Sequence, residues 1–431
     1  FPRRRGPGGG MLHTVQQISY LLLLLLLPLQ IIAQQRITST ELLAQRTNDP
    51  IKTAHDELLD FATDYPQKLP LIDKLEFRTE TDELDWNRQE YLFRLGLNGL
   101  REKKAQRLYY ESEVELLQAR KDKYTYNQLA ARFYPIAEWH YADRQLQVLY
   151  DQALLLDDQH TYFQNMLANG LAPEVKELLE QDEARFALEQ NQLQQEQRKK
   201  RAQQFLFPEN HTGTPELDTN QWISVAQMQQ WVDTALTDVF EHPDYQVQLA
   251  RQQRAAATYD LERARQAKVL DFVQLRYAGR DNLELPQEFS FGISFNIPTK
   301  GTRRVDVAEA ALEQQEAAFD QIVLEVELQE ALQEALANFQ LNLEQYPLLR
   351  QFLADNTSEK LLESYRDAGR LSPLDWLRWE EKKLRQQRNL IELEARLCRR
   401  YLDLLSLKGQ LGAAPYRNYL SAELPEFTPI R

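Results

Sequence analysis

Phe289-Ser290-Phe291-Gly292-Ile293-Ser294-Phe295-Asn296-Ile297-Pro298 is the stretch on which the reading of this chain turns. Phe289, Phe291, Ile293, Phe295 and Ile297 alternate with Ser290, Gly292, Ser294 and Asn296. An extended strand therefore has one strongly apolar face and one small, polar face. Lys300, Arg303 and Arg304 follow, and then a long helical stretch. The same layout occurs earlier, as Tyr91-Leu92-Phe93-Arg94-Leu95-Gly96-Leu97-Asn98-Gly99, then Arg101, Lys103 and Lys104, then another long helix. Further on, Ala168-Asn169-Gly170-Leu171-Ala172-Pro173 is answered by Ala368-Gly369-Arg370-Leu371-Ser372-Pro373. Ala, Leu and Pro share a register there, and Glu180/Glu380 and Arg185/Arg385 keep it. The chain is a duplicated unit of strand and very long helix.

Each strand brings a hairpin partner. Over 71–79, Leu71, Asp73, Leu75, Phe77 and Thr79 alternate with Lys74, Glu76 and Arg78; in the second half, Val269, Asp271, Val273, Leu275 and Tyr277 precede a loop at 278–286. A sheet with one apolar and one polar face suits either a soluble sandwich or a lipid-facing barrel with a wet lumen. Four strands are too few to close a barrel alone, so a barrel needs several chains.

From Arg303 to about residue 344, extending toward 364, the helix is unbroken by Gly and is about 60 Å long in its first part at 1.5 Å per residue. It carries two heptad stripes. Val305, Leu312, Phe319 and Val326 form one, joined by Ala308 and Ile322; Ala310, Ala317, Leu324 and Ala331 form the other. The two lie about 140° apart. A two-stranded coiled coil needs one seam. Two seams suit a helix with a neighbour on each side, in the wall of a cylinder, or a helix inside a solid bundle.

With 51 basic and 65 acidic residues the net charge is -14, the opposite of the footprint that nucleic-acid binding requires. Cys398 is the single cysteine, so there is no disulfide framework, and the six histidines (13, 55, 140, 160, 211 and 242) lack a chelating spacing. No nucleophile–base set or phosphate loop occurs, so neither catalysis nor a cofactor is expected.

The apolar run 18–32, closing at Ala33, has the length of a signal-peptide core, and cleavage is expected after Ala33; an uncleaved anchor is the alternative. Arg3, Arg4 and Arg5 precede Met11, as a start read too far upstream would place them. No second run of about twenty apolar residues exists, so a mature chain that enters a membrane has to do so as strands of a closed barrel. The expected organisation is 1–33 signal peptide, 34–204 first repeat, 205–222 linker, 223–412 second repeat and 413–431 irregular tail, with 37–62 a short helix.

The junction from Phe291 through Pro298 to Arg303-Arg304-Val305 resembles the passage from strand to helix of the TolC-like outer-membrane efflux proteins. His242-Pro243-Asp244, opening an Ala/Arg/Gln-rich helix, is similar to that family's repeat start. Tyr365-Arg366-Asp367-Ala368-Gly369-Arg370-Leu371-Ser372-Pro373-Leu374-Asp375-Trp376-Leu377 resembles its helix-tip motif. The resemblance is stronger over 242–412 than over 37–205. It implies a mainly α fold with a small β part: a trimeric, twelve-stranded outer-membrane β-barrel continued by a periplasmic coiled-coil barrel of helices. It also implies a homotrimer whose partners are a periplasmic adaptor protein, an inner-membrane transporter and outer-membrane lipid, and a role as passive exit duct in efflux or type I secretion.

On the same resemblance, the tips Gly170, Leu171 and Ala172 and Gly369, Arg370, Leu371 and Ser372 are adaptor-docking candidates. Asp375 is a candidate for the periplasmic gate, with Arg378 where the family has a second acid, a combination suited to ion pairs between protomers. Phe289, Phe291, Ile293, Phe295 and Ile297 are the lipid-facing candidates. The basic turns Arg101/Lys103/Lys104 and Arg303/Arg304 lie at helix N-termini, where the dipole disfavours cations, so headgroups or acidic neighbours are expected there. Trp376 and Trp379 read as packing residues. The competing function is a periplasmic coiled-coil scaffold without a pore, which would bury the Phe/Ile face in a small sandwich.

Overall fold

The computed structural model describes residues 36–45, 49–64, 72–81, 89–171, 173–207, 215–234, 242–278, 289–295, 303–355 and 357–429. In chain order the elements are β1 (Arg36–Thr38), α1 (Ser39–Ala44), α2 (Pro50–Asp64), β2 (Ile72–Thr81), β3 (Gln89–Leu97), α3 (Leu100–Ala168), α4 (Val175–Leu206), β4 (Glu216–Asp218) and α5 (Val225–Thr234). They continue with α6 (Pro243–Gln266), β5 (Leu270–Ala278), β6 (Phe289–Phe295), α7 (Arg303–Ala354), α8 (Thr357–Asp367) and α9 (Pro373–Leu407). The signal-peptide expectation, Ala172 and Ile297 lie outside the described residues.

Helix α3 has 69 residues, about 100 Å at 1.5 Å per residue. Pro135 lies inside it without ending it. The helices form a layer one helix thick. Nearer the sheet α3 packs on α6 and α6 on α7; farther away the order is α4, α3, α9, α7. Of the two stripes expected on α7, Ala310 is buried and Ala317, Leu324 and Ala331 are half-buried. That stripe meets α6, where the Gln248 amide donates to the Ala317 carbonyl (3.1 Å) and Gln321 to the Tyr245 hydroxyl (2.9 Å). The other stripe has no neighbour among the described residues, and Phe319 is 65% exposed. Helix α4, the opposite edge of the layer in the half away from the sheet, carries an exposed stripe of its own, Val175, Leu179, Phe186 and Leu193.

Where α3 and α4 meet, the seam repeats every seven residues. Leu149, Leu156 and Phe163 alternate with buried Gln145, Gln152 and Gln159 on α3, facing Gln181, Leu188 and Gln195 on α4. The buried Gln181 amide donates to the Leu156 carbonyl (3.1 Å). Buried polar groups at seam positions stay tolerable when paired, and they fix register.

The main core lies in a belt round the middle of the layer. Phe133, Ile136 and Trp139 of α3 and Leu397, Tyr401 and Leu402 of α9 pack with α1, β1, β4, α5 and the tail residues Leu411, Tyr419, Leu420 and Phe427. Residues 37–62 are not one helix. Arg36–Thr38 pairs in parallel with Glu216–Asp218. Thr38 then caps α1 in a capping box with Glu41, and Asp49 accepts the Ile51 amide (2.9 Å) to start α2. The segment expected as a linker thus supplies a strand, and the irregular tail is wrapped onto the core.

Candidate functional site

Strands β2, β3, β5 and β6 form one antiparallel sheet in the order β2-β3-β5-β6. Its register sorts side chains into rows that cross the strands. Leu75, Leu95, Val273 and Ile293 form one; Phe77, Phe93, Leu275 and Phe291 the next; Thr79, Tyr91, Tyr277 and Phe289 the third. All lie on one face, because alternate residues share a side. The third row, farthest from the helices, is aromatic: Phe77–Tyr91, Tyr91–Tyr277 and Tyr277–Phe289 ring centroids are 6.0, 6.1 and 5.0 Å apart. No residue of this sheet belongs to a buried hydrophobic cluster, and Phe291 is 66% exposed. The expected alternation at Phe289, Phe291, Ile293 and Phe295 is present.

The other face is charged rather than merely small. Glu76 lies 3.5 Å from Arg94 and 3.6 Å from Lys74, Arg78 is 3.4 Å from Glu80, and Arg276 pairs with Glu90. One row crosses all four strands, as Glu76, Arg94, Gln274 and Gly292. Arg94 donates to the side-chain Oε1 of Gln274 (3.4 Å) and stacks 4.2 Å over the Phe272 ring. A Cβ at Gly292 would fall 2.9 Å from the Gln274 side chain, and one at Gly96 would fall 3.3 Å from Lys74. The two repeat glycines therefore leave room for a neighbour's long polar side chain on the wet face. At the helix end, Arg101, Lys103, Lys104 and Arg304 are exposed.

The far ends of the helices are built alike. Gly170 (φ 78°) and Gly369 (φ 66°) are both left-handed. In each, a Schellman pair closes the helix: Leu171 and Gly170 donate to Met166 and Leu167, and Arg370 and Gly369 to Tyr365 and Arg366, all within 2.9–3.0 Å. The glycines are one position out of the Ala/Leu/Pro register yet occupy the same place in the turn. Ser372 then caps α9 by accepting the Asp375 amide (3.1 Å), with Pro373 in the first turn, while its hydroxyl donates to the Asp375 carboxylate (2.9 Å). Leu371 is half-buried, and Asp375 is exposed.

Arg378 is 2.9 Å from Glu177 on α4. Within the protomer it ties the two tips together and makes no ion pair with Asp375. Trp376 and Trp379 lie 5.3 Å apart, covered by Arg366 and Lys383, and Lys383 reaches Glu359 (3.2 Å), so the pair packs α8 on α9.

Residues outside these sites have burial-shifted ionisation. The Cys398 thiol is pushed up to about 12. Burial drives His140, stacked 3.9 Å on Trp222, down to about 3. Among the described residues no group of His, Cys, Asp and Glu could hold a metal, and no helix is long and apolar enough to cross a membrane.

No protein-family model and no curated protein matches the chain. Solved structures do. The outer membrane protein VceC of Vibrio cholerae superposes with a TM-score of 0.58 at 14% identity, over 83% of this chain and 90% of that one. The CmeC outer membrane channel of Campylobacter jejuni gives 0.56 at 14%, over 86% and 84%. The open-state MtrE outer membrane channel of Neisseria gonorrhoeae gives 0.54 at 14%, over 83% and 84%. The chain has the fold of the TolC-like outer-membrane channels. In this TolC-like fold the mainly α character with a small β part is as the sequence implied.

Sequence reasoning missed Glu177, the partner of Arg378, and the belt strands. Glu177 sits one turn into a helix with no distinguishing neighbour, and three-residue strands carry no periodic signal. The glutamines of the α3 seam were missed as well, though Gln145, Gln152 and Gln159 carry a signal in their spacing of seven.

Proposed function

We propose that three copies of this chain form an outer-membrane channel-tunnel, a passive exit duct for cargo delivered by an inner-membrane pump through a periplasmic adaptor. The observation that carries the reading is the sheet. Three apolar rows with an aromatic end row lie uncovered on one side, and a ladder of paired charges lies on the other. That is the pattern of a barrel strand with lipid outside and water inside. Nothing among the described residues packs on the apolar face, as a pore-less scaffold with a sandwich would require. Strands β2 and β6 are open edges, and edges are removed by closure. Three sheets of four strands make a twelve-stranded barrel.

The unpartnered stripes fit the same assembly. Away from the sheet, α7 and α4 are the two edges of the layer, and each carries exposed apolar side chains there, Leu341 and Leu348 on α7 and Leu179, Phe186 and Leu193 on α4. Such a head-to-tail contact closes into a ring when the rotation permits. The tips at Gly170, Leu171 and Gly369–Ser372 then form the periplasmic end offered to an adaptor. Asp375 lies at the mouth, where the Arg378–Glu177 pair holds the two hairpin tips together. The test is conductance in planar bilayers: purified protein should give discrete channel openings, whereas electrically silent protein that also fails to enter vesicles would overturn the proposal.

A further inference from the structure

Near the sheet, the order of the helices repeats the order of the strands. Helix α2 leads into β2, α3 follows β3, α6 leads into β5 and α7 follows β6. The sheet runs β2-β3-β5-β6, and α2 packs on α3, α3 on α6 and α6 on α7. In this half of the layer the edges are therefore α2 and α7. Both carry an apolar face that the chain's own helices leave exposed. On α7 it is the stripe of Val305, Leu312, Phe319 and Val326. On α2, Ile51 (55% exposed), Ala54 and Leu58 (47%) follow at spacings of three and four and share one face. The side of α2 that meets α3, through His55, Asp56 and Leu59, lies about 110° round the helix. Helix α2 thus has two packing sides, as α7 does.

Three contacts set the height of one edge against the other. Asp56 of α2 lies 2.6 Å from Lys121 of α3. Tyr126 of α3 meets His242 at the head of α6, with ring centroids 6.3 Å apart, and the Tyr245 hydroxyl of α6 accepts from Gln321 of α7 (2.9 Å). Because α6 runs against α3, Tyr245 is level with Lys123. Asp56 and Gln321 therefore stand within about one helical turn of each other in height. Helix α2 runs toward the sheet and α7 away from it. Leu58 is then level with Phe319, and Ile51 with Val326, seven residues off on each helix, which is the repeat of a coiled-coil seam. Rotation about an axis along the helices leaves these heights unchanged from one copy to the next.

Strand order decides which edges meet. Closing the barrel sets β6 of one copy beside β2 of the next, and the helices attached to those strands, α7 and α2, come side by side. We propose that α2 is a docking strip for a second copy of this chain, its Ile51, Ala54 and Leu58 face receiving Phe319, Ile322 and Val326 of the neighbour's α7. The closure step rests on the channel reading above. Exposed Glu57 and Asp60 flank the face on α2, and Glu316 and Asp320 flank the stripe on α7. The contact is therefore held by apolar burial against like charge, and salt strengthens it.

The test is cysteine cross-linking of the full-length protein in mild detergent. Within one copy α2 and α7 are three helix steps of roughly 8–10 Å apart, about 25–30 Å in all, so a short bismaleimide cannot join them in the same chain. Cys398 is buried and stays out of the reaction. Leu58→Cys/Phe319→Cys should give linked chains that stop at three on denaturing gels, with a yield that rises with salt. That yield should be at least tenfold above that of Leu58→Cys/Leu341→Cys, whose second site is about 33 Å farther along α7. Circular dichroism checks folding, and Ile51→Cys/Val326→Cys repeats the test where the first pair fails to fold. No link above the control in a protein that light scattering shows to be trimeric overturns the seam and leaves the channel reading standing. A yield that falls with salt assigns the contact to charge and overturns the apolar seam. Links that run on past three chains support the seam and sink the closed ring.

Discussion

Replacing Phe291 with Lys puts a charge in the middle of the three apolar rows, opposite Leu275 and in line with Phe93 and Phe77. In the protomer the side chain is already largely exposed, so a water-soluble protein would tolerate the change, and with less apolar surface would become more soluble. In a barrel the same position faces hydrocarbon, where a lysine near the midplane costs about 2–4 kcal/mol. Three copies per assembly raise that to about 6–12 kcal/mol, since the sites are far apart and additive. Refolding into phospholipid vesicles, followed by flotation across a urea series, should show Phe291→Lys losing insertion by about 30-fold or more per chain. The far-ultraviolet helix signal should stay unchanged. Ser294→Lys, three residues along on the wet face, should insert like the wild type. Equal insertion by Phe291→Lys, or equal damage from Ser294→Lys, would refute the assignment of the two faces.

Gly292→Val should hinder barrel assembly by about 1–3 kcal/mol through the clash with Gln274, and Gln274→Ala should restore yield in the same refolding assay. Glu177→Arg should loosen the tips by no more than about 1 kcal/mol, since its pair with Arg378 is partly exposed; adding Arg378→Glu should recover the wild-type rate of limited proteolysis at the tips. His140 takes its proton at about 3 when folded and near 6.5 when unfolded. The unfolded chain is thus protonated first, and stability present above pH 6.5 falls by up to about 1.4 kcal/mol per unit as pH drops toward 3. Melting temperature against pH should show that slope flattened in His140→Phe, which keeps a ring against Trp222. Cys398, buried with its thiol pushed up to about 12, should resist iodoacetamide at pH 8 in the folded protein and react on unfolding.

The parts legible in the sequence are those with a period. Alternation at 289–295 and 91–97 located the strands and their faces, and the two stripes on the helix from Arg303 marked two packing sides, of which the one at Val305, Leu312 and Phe319 is exposed in the protomer. The left-handed glycines gave the tips. What stayed hidden depends on contacts across the chain. Ile37 and Leu217 become strand residues only by pairing with each other. Asp49 begins a new helix where composition suggested one continuous helix. Arg378, expected on the family resemblance to suit ion pairs with Asp375 between protomers, pairs within the chain with Glu177, two hundred and one residues away, a contact no local pattern announces. The wet face looked small because only β6 is small; Glu76, Arg94 and Arg276 come from the other strands.

The most direct test is the mass of the protein extracted from outer-membrane fractions in mild detergent, measured by light scattering with the detergent contribution subtracted. The account predicts a membrane-bound particle of three chains that stays trimeric on dilution. A monomer or dimer recovered in the soluble periplasmic fraction would contradict it.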